Sequence, residues 1–552
     1  MSNEFRLTPD LRDRAFRWIA DDVDSDAREE LQAVLASALG GIPGTAAELA
    51  ERMAGPLEFG TAGLRGPMRA GPNGMNSAVV VRTTAGVAAW LARQGESGRT
   101  VVIGRDARHG SETFAIAAAE VLHAAGFDVR ALPRPLPTPV LAFAVKKLGA
   151  VAGIQITASH NPPADNGYKL YDRSGAQIVP PADREIEDAI AKAPAALRIP
   201  RTPGALVLGD DLLNGYLAKV AELPRGNART LRVAATALHG VGAATLTRAL
   251  EGAGFTDLHM VPEQSTPDPN FPTVPLPNPE EPGATDLLLA LASEVDADLA
   301  IALDPDADRC ALGVRERDGS WRMLRGDETG VLLGEHVLST TNAAEPLVAT
   351  TIVSSEMLGE IAVAHGARYA ETLTGFKWLM RAGDGLVYAY EEALGLCVNP
   401  DFVRDKDGIA AAVLACDLAA TVRAAGRSLL DMLDELAVRH GVHLTDQVSL
   451  RVTDLGVRAK LMTALRSAPP AELAGVPVTT EDLLPETDGL RIKGPGVRVV
   501  IRPSGTEPKL KTYLQVTEPV MDAGALSAAR EAASTRLAAL RESIGGILEV
   551  GA

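Results

Sequence analysis

The alternation of strand and helix that decides the fold begins in residues 100–132, which read TVVIGRDARHGSETFAIAAAEVLHAAGFDVRAL. The β-branched run Thr100–Gly104 predicts a strand, the alanine-rich stretch Glu112–Ala125 predicts a helix, and Val129–Leu132 predicts the next strand. A further apolar run, Val151–Thr157, predicts one more strand. Strands that alternate with helices in this way are typical of α/β units with mostly parallel sheets.

The same alternation recurs twice further along the chain, without a close sequence repeat. Its predicted elements are the strands Arg232–Thr236, Leu299–Ala302, Pro346–Ile352 and Val387–Tyr390 and the helices Gly242–Gly252 and Met357–His365. After His440–His443, mixed strands and helices indicate a smaller α+β terminal domain. We therefore expect an α/β protein with three related α/β domains and a smaller α+β domain at the C-terminal end.

The 552 residues are too many for one hydrophobic core, so several domains are expected. Domain boundaries are placed where the alternation breaks, at the Pro-rich Ile199–Gly204, at Arg325–Asp327 and near His440–His443. The predicted domains are residues 1–208, 209–325, 326–442 and 443–552.

The formal net charge of −17 opposes binding to nucleic acid or to an anionic membrane. Three widely spaced cysteines, Cys310, Cys397 and Cys416, do not have the spacing of a zinc site or a disulfide framework. The sequence begins without a signal-peptide pattern, and it contains no run of about 18 apolar residues. We expect a cytoplasmic protein that gathers its cations locally wherever it binds phosphate.

The first segment that carries chemistry is TASHNP, Thr157–Pro162, directly after a predicted strand. Pro162 and Pro163 end the strand, so Ser159 is expected on an exposed turn at its carboxyl end, where α/β sheets bind ligands. A serine–histidine pair by itself is more typical of a polar turn. Ser159 and His160 are adjacent, which argues against hydrogen bonding between them as nucleophile and base, so Ser159 needs another source of activation.

The second segment is DPDADR, Asp304–Arg309, again just past an apolar strand. Carboxylates at alternate positions repel one another unless they converge on a hard cation. A calcium loop of the EF-hand type is excluded, because it requires glycine and glutamate where Arg309 and Arg315 stand. The segment predicts a magnesium site, with Arg309 available to a substrate or phosphate oxygen.

The third and fourth segments point to substrate binding. RPSGTEPK, Arg502–Lys509, offers backbone N–H groups, hydroxyls and two cations in a tight turn, which suits a dianionic phosphate. YEEALG, Tyr390–Gly395, places carboxylates at the end of a strand, where they can accept hydrogen bonds from sugar hydroxyls.

Together and in this order, the four segments resemble the α-D-phosphohexomutase family, which contains phosphoglucomutases and phosphomannomutases. The similarity spans Phe59 to Lys511, and the chain resembles the longer phosphoglucomutase and phosphopentomutase branch. The resemblance implies four domains around a central cleft, one Mg²⁺ per chain, and a reversible exchange between sugar 1-phosphate and 6-phosphate. It further implies a phosphoserine and a sugar 1,6-bisphosphate that serves as intermediate and activator.

The resemblance also assigns site residues by position. Ser159 corresponds to the phosphorylated serine, which ligates Mg²⁺ together with Asp304, Asp306 and Asp308. Arg65 and Lys169 correspond to catalytic residues, and Lys169 is expected to act as general acid and base with a pKa lowered by neighbouring positive charge. The implied substrate-binding residues are His160, Arg309, Lys377, Glu391, Lys406, Arg502, Ser504, Gly505, Thr506 and Lys509.

The sugar is the open part of this expectation. Many members have a serine and then Gly-His after the sugar-binding glutamate, where this chain has Ala393, Leu394 and Gly395. Glucose is the first expectation and mannose the second. The alternatives are a phosphopentomutase acting on ribose or deoxyribose phosphates, a sugar-phosphate phosphatase, and a non-catalytic sugar-phosphate-binding protein. A small phosphosugar is the expected partner, and the chain is expected to be a monomer or homodimer.

Overall fold

The computed structural model describes residues 7–451, 455–503 and 509–550, which divide into two units. The first unit holds the chain up to Pro224 together with Arg229–Gly313 and Asn399–Cys416. The second holds Arg225–Ala228, Val314–Val398 and the chain from Asp417 onward. The chain therefore passes between the units several times.

Three helices precede the first strand, and the sequence analysis did not single them out. They are α1 (Pro9–Asp21), α2 (Ser25–Leu39) and α3 (Thr45–Arg52). Thr8 caps α1, since its Oγ1 accepts a hydrogen bond from the Leu11 N–H at 3.2 Å. Apolar residues spaced four apart, such as Leu31 and Leu35, bury one face of each helix in a separate small core.

A six-stranded sheet follows in the first unit. Its elements are β1 (Leu64–Pro67), α4 (Ser77–Arg93), β2 (Thr100–Arg105), α5 (Ser111–Ala124), β3 (Asp128–Ala131), α6 (Thr138–Leu148), β4 (Ala152–Ile156), β5 (Asp165–Asp172), α7 (Ala182–Lys192) and β6 (Leu206–Val207). The strand order is β1-β5-β4-β2-β3-β6. Strands β4, β2, β3 and β6 are parallel, whereas β5 is antiparallel to both of its neighbours, β4 and the edge strand β1.

The second sheet of the first unit repeats this plan. Its elements are α8 (Asp211–Ala221), β7 (Arg232–Thr236), α9 (Ala243–Gly252), β8 (Asp257–Met260), α10 (Asp286–Glu294), β9 (Leu299–Leu303) and β10 (Cys310–Arg315). Strands β8, β7 and β9 are parallel, and β10 returns antiparallel to β9.

The second unit begins with a third mixed sheet. β11 (Trp321–Met323) comes first along the chain, but the strand order of this sheet is β13-β12-β14-β15 and does not include it. The sheet and its helices are α11 (Gly326–Thr340), β12 (Leu347–Thr351), α12 (Met357–Ala364), β13 (Arg368–Thr372), α13 (Phe376–Leu379), β14 (Leu386–Glu391) and β15 (Gly395–Cys397). In this sheet β13, β12 and β14 are parallel and β15 is antiparallel. Three mixed sheets of the same kind confirm the predicted α/β class.

An antiparallel sheet and its helices complete the chain. These elements are α14 (Gly408–Ala424), α15 (Leu429–His440), β16 (Val442–Arg451), α16 (Leu455–Ser467), β17 (Glu472–Leu473), β18 (Val476–Pro477), β19 (Thr479–Asp482), β20 (Leu490–Gly494), β21 (Val497–Pro503), β22 (Lys509–Glu518) and α17 (Leu526–Val550). The sheet order β16-β22-β21-β20-β19 is antiparallel throughout, which confirms the predicted α+β domain.

A helix that spans a membrane must meet requirements of length and hydropathy. Among the described residues no single helix meets them, and α14 and α15 meet them only as a pair bent by 88°.

Two buried strands of the first unit lead directly to the motifs. β4 ends at Ile156 shortly before Ser159, and β9 ends at Leu303 immediately before Asp304. All ten residues of these two strands are buried. The two motifs therefore start from rigid parts of the structure, at the carboxyl ends of strands.

Gly240 supports the Asp304–Arg309 turn through close packing. A Cβ at this position would lie 2.2 Å from the Cα of Pro305. Because this neighbour is backbone and cannot rotate away, Gly240→Ala is expected to destabilise the protein by about 1–3 kcal/mol. The Gly209→Ala variant is the control, since nothing lies within 4 Å of its added Cβ. Thermal unfolding tests this expectation, and equal midpoints for the two variants would contradict it.

Candidate active site

Ser159 lies in a tight turn after β4. Its backbone has φ 54°, a left-handed conformation that costs energy for a residue with a side chain. The Ser159 N–H donates to Thr157 Oγ1 at 2.9 Å, which holds the turn. The expectation that Ser159 is exposed is wrong. Its exposed fraction is 1 %, because the aspartate turn covers it.

The aspartates of the Asp304–Arg309 turn point into one buried cluster. Asp304, Asp306 and Asp308 each have 0 % exposure, and one carboxylate oxygen from each lies within 4.8 Å of the others. Ala307, between the last two, has φ 54°. The Arg309 N–H donates to Asp304 Oδ1 at 3.1 Å and closes the turn. The backbone thus curls as the sequence analysis required.

The structure brings the serine and two lysines to this cluster. Ser159 Oγ donates a hydrogen bond to Asp304 Oδ2 at 2.8 Å. Lys169 Nζ, from β5, donates to Asp306 Oδ2 at 2.6 Å and to Asp308 Oδ2 at 2.7 Å. Lys406 Nζ lies 3.4 Å from Asp308 Oδ2. Three separate stretches of the first unit therefore meet at one buried charge cluster.

The charges in the cluster shift its pKa values in opposite directions. Burial and the other two carboxylates raise the pKa of Asp304 well above its usual range. Burial alone would lower the pKa of Lys169, but Asp306 and Asp308 outweigh it and raise that pKa. The expectation of a pKa lowered by neighbouring positive charge is therefore wrong for Lys169, because its nearest charges are negative.

His160 hydrogen-bonds with its neighbour in the sequence. Its Nδ1 lies 3.1 Å from Ser159 Oγ, so the argument from adjacency against such a bond is wrong. The left-handed backbone at Ser159 turns the two side chains toward each other. Burial, with Arg309 and Arg65 nearby, lowers the pKa of His160 well below its usual value, so the imidazole is neutral.

The donor set of the cluster fits a hard divalent cation. Carboxylate oxygens are the ligands that Mg²⁺ prefers. Asp306 Oδ1 and Asp308 Oδ1 are buried and have no hydrogen-bond partner within the described part of the chain. Buried carboxylate oxygens are normally paired, and a cation would satisfy both of these.

The two predicted arginines of the first unit lie beside the cluster. Arg65, on β1, donates from Nη1 to Asn161 Oδ1 at 3.3 Å, so it contacts the serine turn. Arg309 Nε lies 3.9 Å from Asp304 Oδ2 and 3.9 Å from Asp308 Oδ1. Arg309 is therefore at the edge of the carboxylates, and Arg65 is at the serine turn.

The remaining predicted residues belong to the second unit. Glu391 ends β14, Lys377 lies in α13, Arg502 is near the end of β21, and Lys509 begins β22. The structure brings Glu391 and Arg502 together around the buried Tyr513, whose pKa is raised by burial, Glu392 and Glu391 and lowered by Arg502. The other predicted residues of this loop, Ser504, Gly505 and Thr506, lie outside the described residues.

Four family models match this chain in order. They describe phosphoglucomutase/phosphomannomutase alpha/beta/alpha domains I, II and III and the C-terminal domain, at residues 56–196, 214–319, 325–439 and 450–527. The chain belongs to the phosphoglucomutase/phosphomannomutase family. It is a phosphosugar mutase, an isomerase that acts by phosphoryl transfer.

Individual members of the family are similar over most of the chain. A "probable phosphomannomutase" of Haemophilus influenzae is 42 % identical, covering 80 % of this chain and 93 % of that protein. A phosphopentomutase of Mus musculus is 32 % identical, covering 91 % of this chain and 90 % of that protein. A crystal structure of a phosphoglucomutase/phosphomannomutase family protein from Burkholderia thailandensis has the same fold, with TM-score 0.69 at 21 % identity over 89 % of this chain and 97 % of that one.

Sequence reasoning missed the residue that shapes the serine turn of this mutase. Arg108 is buried, and its guanidinium donates to the backbone oxygens of Ser159 at 2.7 Å, Asn161 at 2.6 Å and Pro162 at 2.7 Å. Asp106 pairs with it at 3.4 Å. The available signal was the charged run Arg105–Arg108, which directly follows the predicted strand Thr100–Gly104. Ser159 and Asp304 likewise follow strands in their own segments.

Glu392 is a second missed residue. Its carboxylate accepts hydrogen bonds from Ser354 Oγ at 3.0 Å and Thr351 Oγ1 at 3.3 Å. Burial, followed by the charges of Glu391 and Asp327, raises the pKa of Glu392 to about 7. The side chain therefore supports the β14–β15 turn from inside.

The raised pKa of Glu392 makes stability depend on pH. Between the ordinary carboxyl pKa and about 7, the folded protein keeps a proton that the unfolded chain has released. The free energy of unfolding therefore falls as pH rises through this window, and the loss is complete above it. We expect Glu392→Gln to remove on the order of 2 kcal/mol of this loss. One pKa unit corresponds to about 1.4 kcal/mol, and the total is reduced because the side chain is partly exposed and solvent screens its charge.

Thermal unfolding at about pH 5 and about pH 8 measures this effect. Glu531→Gln, on the exposed face of α17, is the matched control. If the unfolding midpoint changes between the two pH values by the same amount in the wild-type protein and in Glu392→Gln, the pH dependence is not due to Glu392.

Proposed function

We propose that this mutase interconverts sugar 1-phosphate and sugar 6-phosphate, with glucose as the sugar, by carrying the phosphoryl group on Ser159. The observation that supports the proposal is the 2.8 Å hydrogen bond from Ser159 Oγ to Asp304 in a buried cluster of three carboxylates and two lysines. Such a site places a hydroxyl beside fixed positive charge and excludes water that would hydrolyse a phosphoserine.

The reaction takes place in two balanced transfers. In the first, a hydroxyl oxygen of the bound sugar monophosphate attacks the phosphorus on Ser159, the P–Oγ bond breaks, and the hydroxyl proton ends on Oγ. This gives a bound sugar bisphosphate. In the second, Ser159 Oγ attacks the phosphorus at the other end of the sugar, that P–O bond breaks, and the proton returns to the sugar oxygen. Neither water nor a second substrate is consumed.

Each charged group of the first unit has a proposed part in these transfers. Asp304, Asp306 and Asp308, with an oxygen of phosphorylated Ser159, would hold Mg²⁺, which supplies charge neutralisation at the transferring phosphoryl oxygens. Lys406 and Arg309 would stabilise the same oxygens. Lys169 is our candidate general acid, and its two carboxylate partners favour the protonated form that this role requires.

The other proposed roles follow family positions. Arg502, Lys509 and the intervening Ser504, Gly505 and Thr506 would hold the phosphate that is not reacting. Glu391 and Lys377 would bind sugar hydroxyls, and Arg65 and His160 would contact the substrate beside Ser159. The four-domain division at residues 208/209, 325/326 and 442/443 is part of the same proposal.

A pentose phosphate is the second candidate substrate. The turn after Glu391 contains Ala393, Leu394 and Gly395, where many other members have a serine and then Gly-His that contact the sugar. Leu394 adopts φ 63° in this turn. The mouse relative that covers 91 % of this chain is named a phosphopentomutase. A smaller sugar requires fewer hydroxyl contacts from this turn.

The phosphoserine is tested by replacing Ser159 with alanine. Wild-type protein is expected to gain one phosphoryl group from glucose 1,6-bisphosphate, measured by intact-protein mass, and Ser159→Ala to gain none. The variant is expected to lose activity by at least ~10³-fold while its fold is kept. Ser265→Ala is the control, since Ser265 is a partly exposed serine whose hydroxyl donates to the nearby Pro262 carbonyl oxygen. Near-normal activity of Ser159→Ala would exclude the mechanism.

The sugar is tested by comparing kcat/KM for glucose, mannose, glucosamine, ribose and deoxyribose 1-phosphates. Glucose 1-phosphate is expected to give the highest value, since discrimination between substrates is the ratio of these constants. A higher value for ribose or deoxyribose 1-phosphate would assign the chain as a phosphopentomutase. Free phosphate is measured in the same reactions, and its accumulation in place of isomerised product would indicate a phosphatase.

A further inference from the structure

The segment Arg404–Gly408, here called the Lys406 loop, carries one acidic residue on each side of Lys406. Asp405, Lys406 and Asp407 are exposed by 1 %, 4 % and 2 %. Buried carboxylates are costly unless hydrogen bonds or charges satisfy them. The partners of Asp405 and Asp407 therefore show what this loop is built to do.

Asp405 is held from β5 and from the segment just after it. Its Oδ2 accepts a hydrogen bond from Tyr171 Oη at 2.7 Å and another from Gln177 Nε2 at 3.0 Å. Its Oδ1 accepts from the backbone N–H of Lys406 at 2.8 Å. Tyr171 is completely buried and stands two residues after Lys169, on the same face of the strand.

Asp407 is held from helix α8. Its Oδ1 accepts a hydrogen bond from Tyr216 Oη at 2.7 Å and from the Ala410 N–H at 2.9 Å, so it also caps α14. Tyr216 is completely buried, and its ring packs edge-on against Phe143 at 5.8 Å and Phe402 at 6.4 Å between centroids. The phenol therefore has a fixed direction.

The loop is also packed directly on the aspartate turn. A Cβ at Gly408 would lie 2.3 Å from the carbonyl oxygen of Arg309 and 2.8 Å from that of Ala307. Only glycine allows this approach. The backbone beyond Lys406 is thus fixed against the turn that carries Asp308.

We propose that Tyr171 and Tyr216 are positioning residues for the reaction, and that their hydroxyls fix the Lys406 loop so that the ammonium of Lys406 is held at Asp308. The inference rests on the proposed function, in which Lys406 acts on the transferring phosphoryl group. A lysine side chain has four rotatable bonds, so its charge is placed accurately only if the backbone on both sides is held. The two phenols hold it through Asp405 on one side and Asp407 on the other.

Within the described part of the chain, neither tyrosine hydrogen-bonds to the carboxylates of Asp304, Asp306 or Asp308, whereas each donates to the Lys406 loop. The effect of removing a phenol should therefore reach the reaction through Lys406. A purely structural role would instead lower stability without acting through that lysine.

The experiment compares Tyr171→Phe with Tyr168→Phe. Tyr168 lies on the same strand and is equally buried, but its hydroxyl is on the opposite face, 3.3 Å from Thr84 Oγ1. Tyr168→Phe therefore also removes a buried hydroxyl, but one that does not contact the Lys406 loop. Tyr171→Phe is expected to lower kcat about tenfold with KM nearly unchanged, and Tyr168→Phe to keep wild-type constants. Tyr216→Phe is expected to behave like Tyr171→Phe. Thermal midpoints of the variants confirm that each is folded.

A double-mutant cycle then tests whether Tyr171 acts through Lys406. Lys406→Met is expected to lower kcat about a hundredfold, and the Tyr171→Phe/Lys406→Met double variant to be no slower than Lys406→Met alone. Losses that multiply in the double variant, or kinetics of Tyr171→Phe that match Tyr168→Phe, overturn the inference. Full activity of Lys406→Met overturns both the inference about the tyrosines and the assigned role of Lys406. Ser159→Ala tests the phosphoserine mechanism independently.

Discussion

The ion pairs of Lys169 with Asp306 and Asp308 are the interaction on which the rest of the first unit depends. Lys169 Nζ lies 2.6 Å from Asp306 Oδ2 and 2.7 Å from Asp308 Oδ2, and all three side chains have no exposure to solvent. Removing one partner from a buried pair leaves a buried charge uncompensated, which costs about 3–5 kcal/mol. The ion pairs hold β5 of the first sheet to the β9–β10 turn of the second, so the serine turn and the aspartate turn keep one relative position.

The same constraint explains the chemistry of the site. A serine hydroxyl is a poor nucleophile in isolation, so the role proposed for Ser159 requires the charges around it. Arg108 fixes the backbone of the serine turn through three carbonyl oxygens, and Asp304 accepts the hydrogen bond from Oγ. These groups are set before substrate arrives, so the site does not have to reorganise as charge moves during phosphoryl transfer.

The second unit contributes a separate and smaller polar arrangement. Glu391, Glu392 and Arg502 surround Tyr513, and Glu392 is tied to Ser354 and Thr351 inside the third sheet. Helices α1–α3 stand apart from this chemistry, with their own core, and they precede residue 56, where the family match begins. The matched family domains therefore begin after these helices.

The sequence alone determined the α/β class, the places of the central strands along the chain and the position of each chemical motif, because buried strands and helices leave strong periodic patterns and the motifs lie at strand ends. Strand Arg232–Thr236 was predicted to the residue, and the other predicted elements differ from the structure by one or two residues at most ends. What surrounds each motif was decided by tertiary structure. Four features depend on residues from separate strands and loops. They are the burial of Ser159, the raised pKa of Lys169, the hydrogen bond from Arg108 to the backbone of Ser159, and the contact of Tyr171 with Asp405. A pattern along the chain reports local periodicity, but it does not report which distant charges a fold brings together.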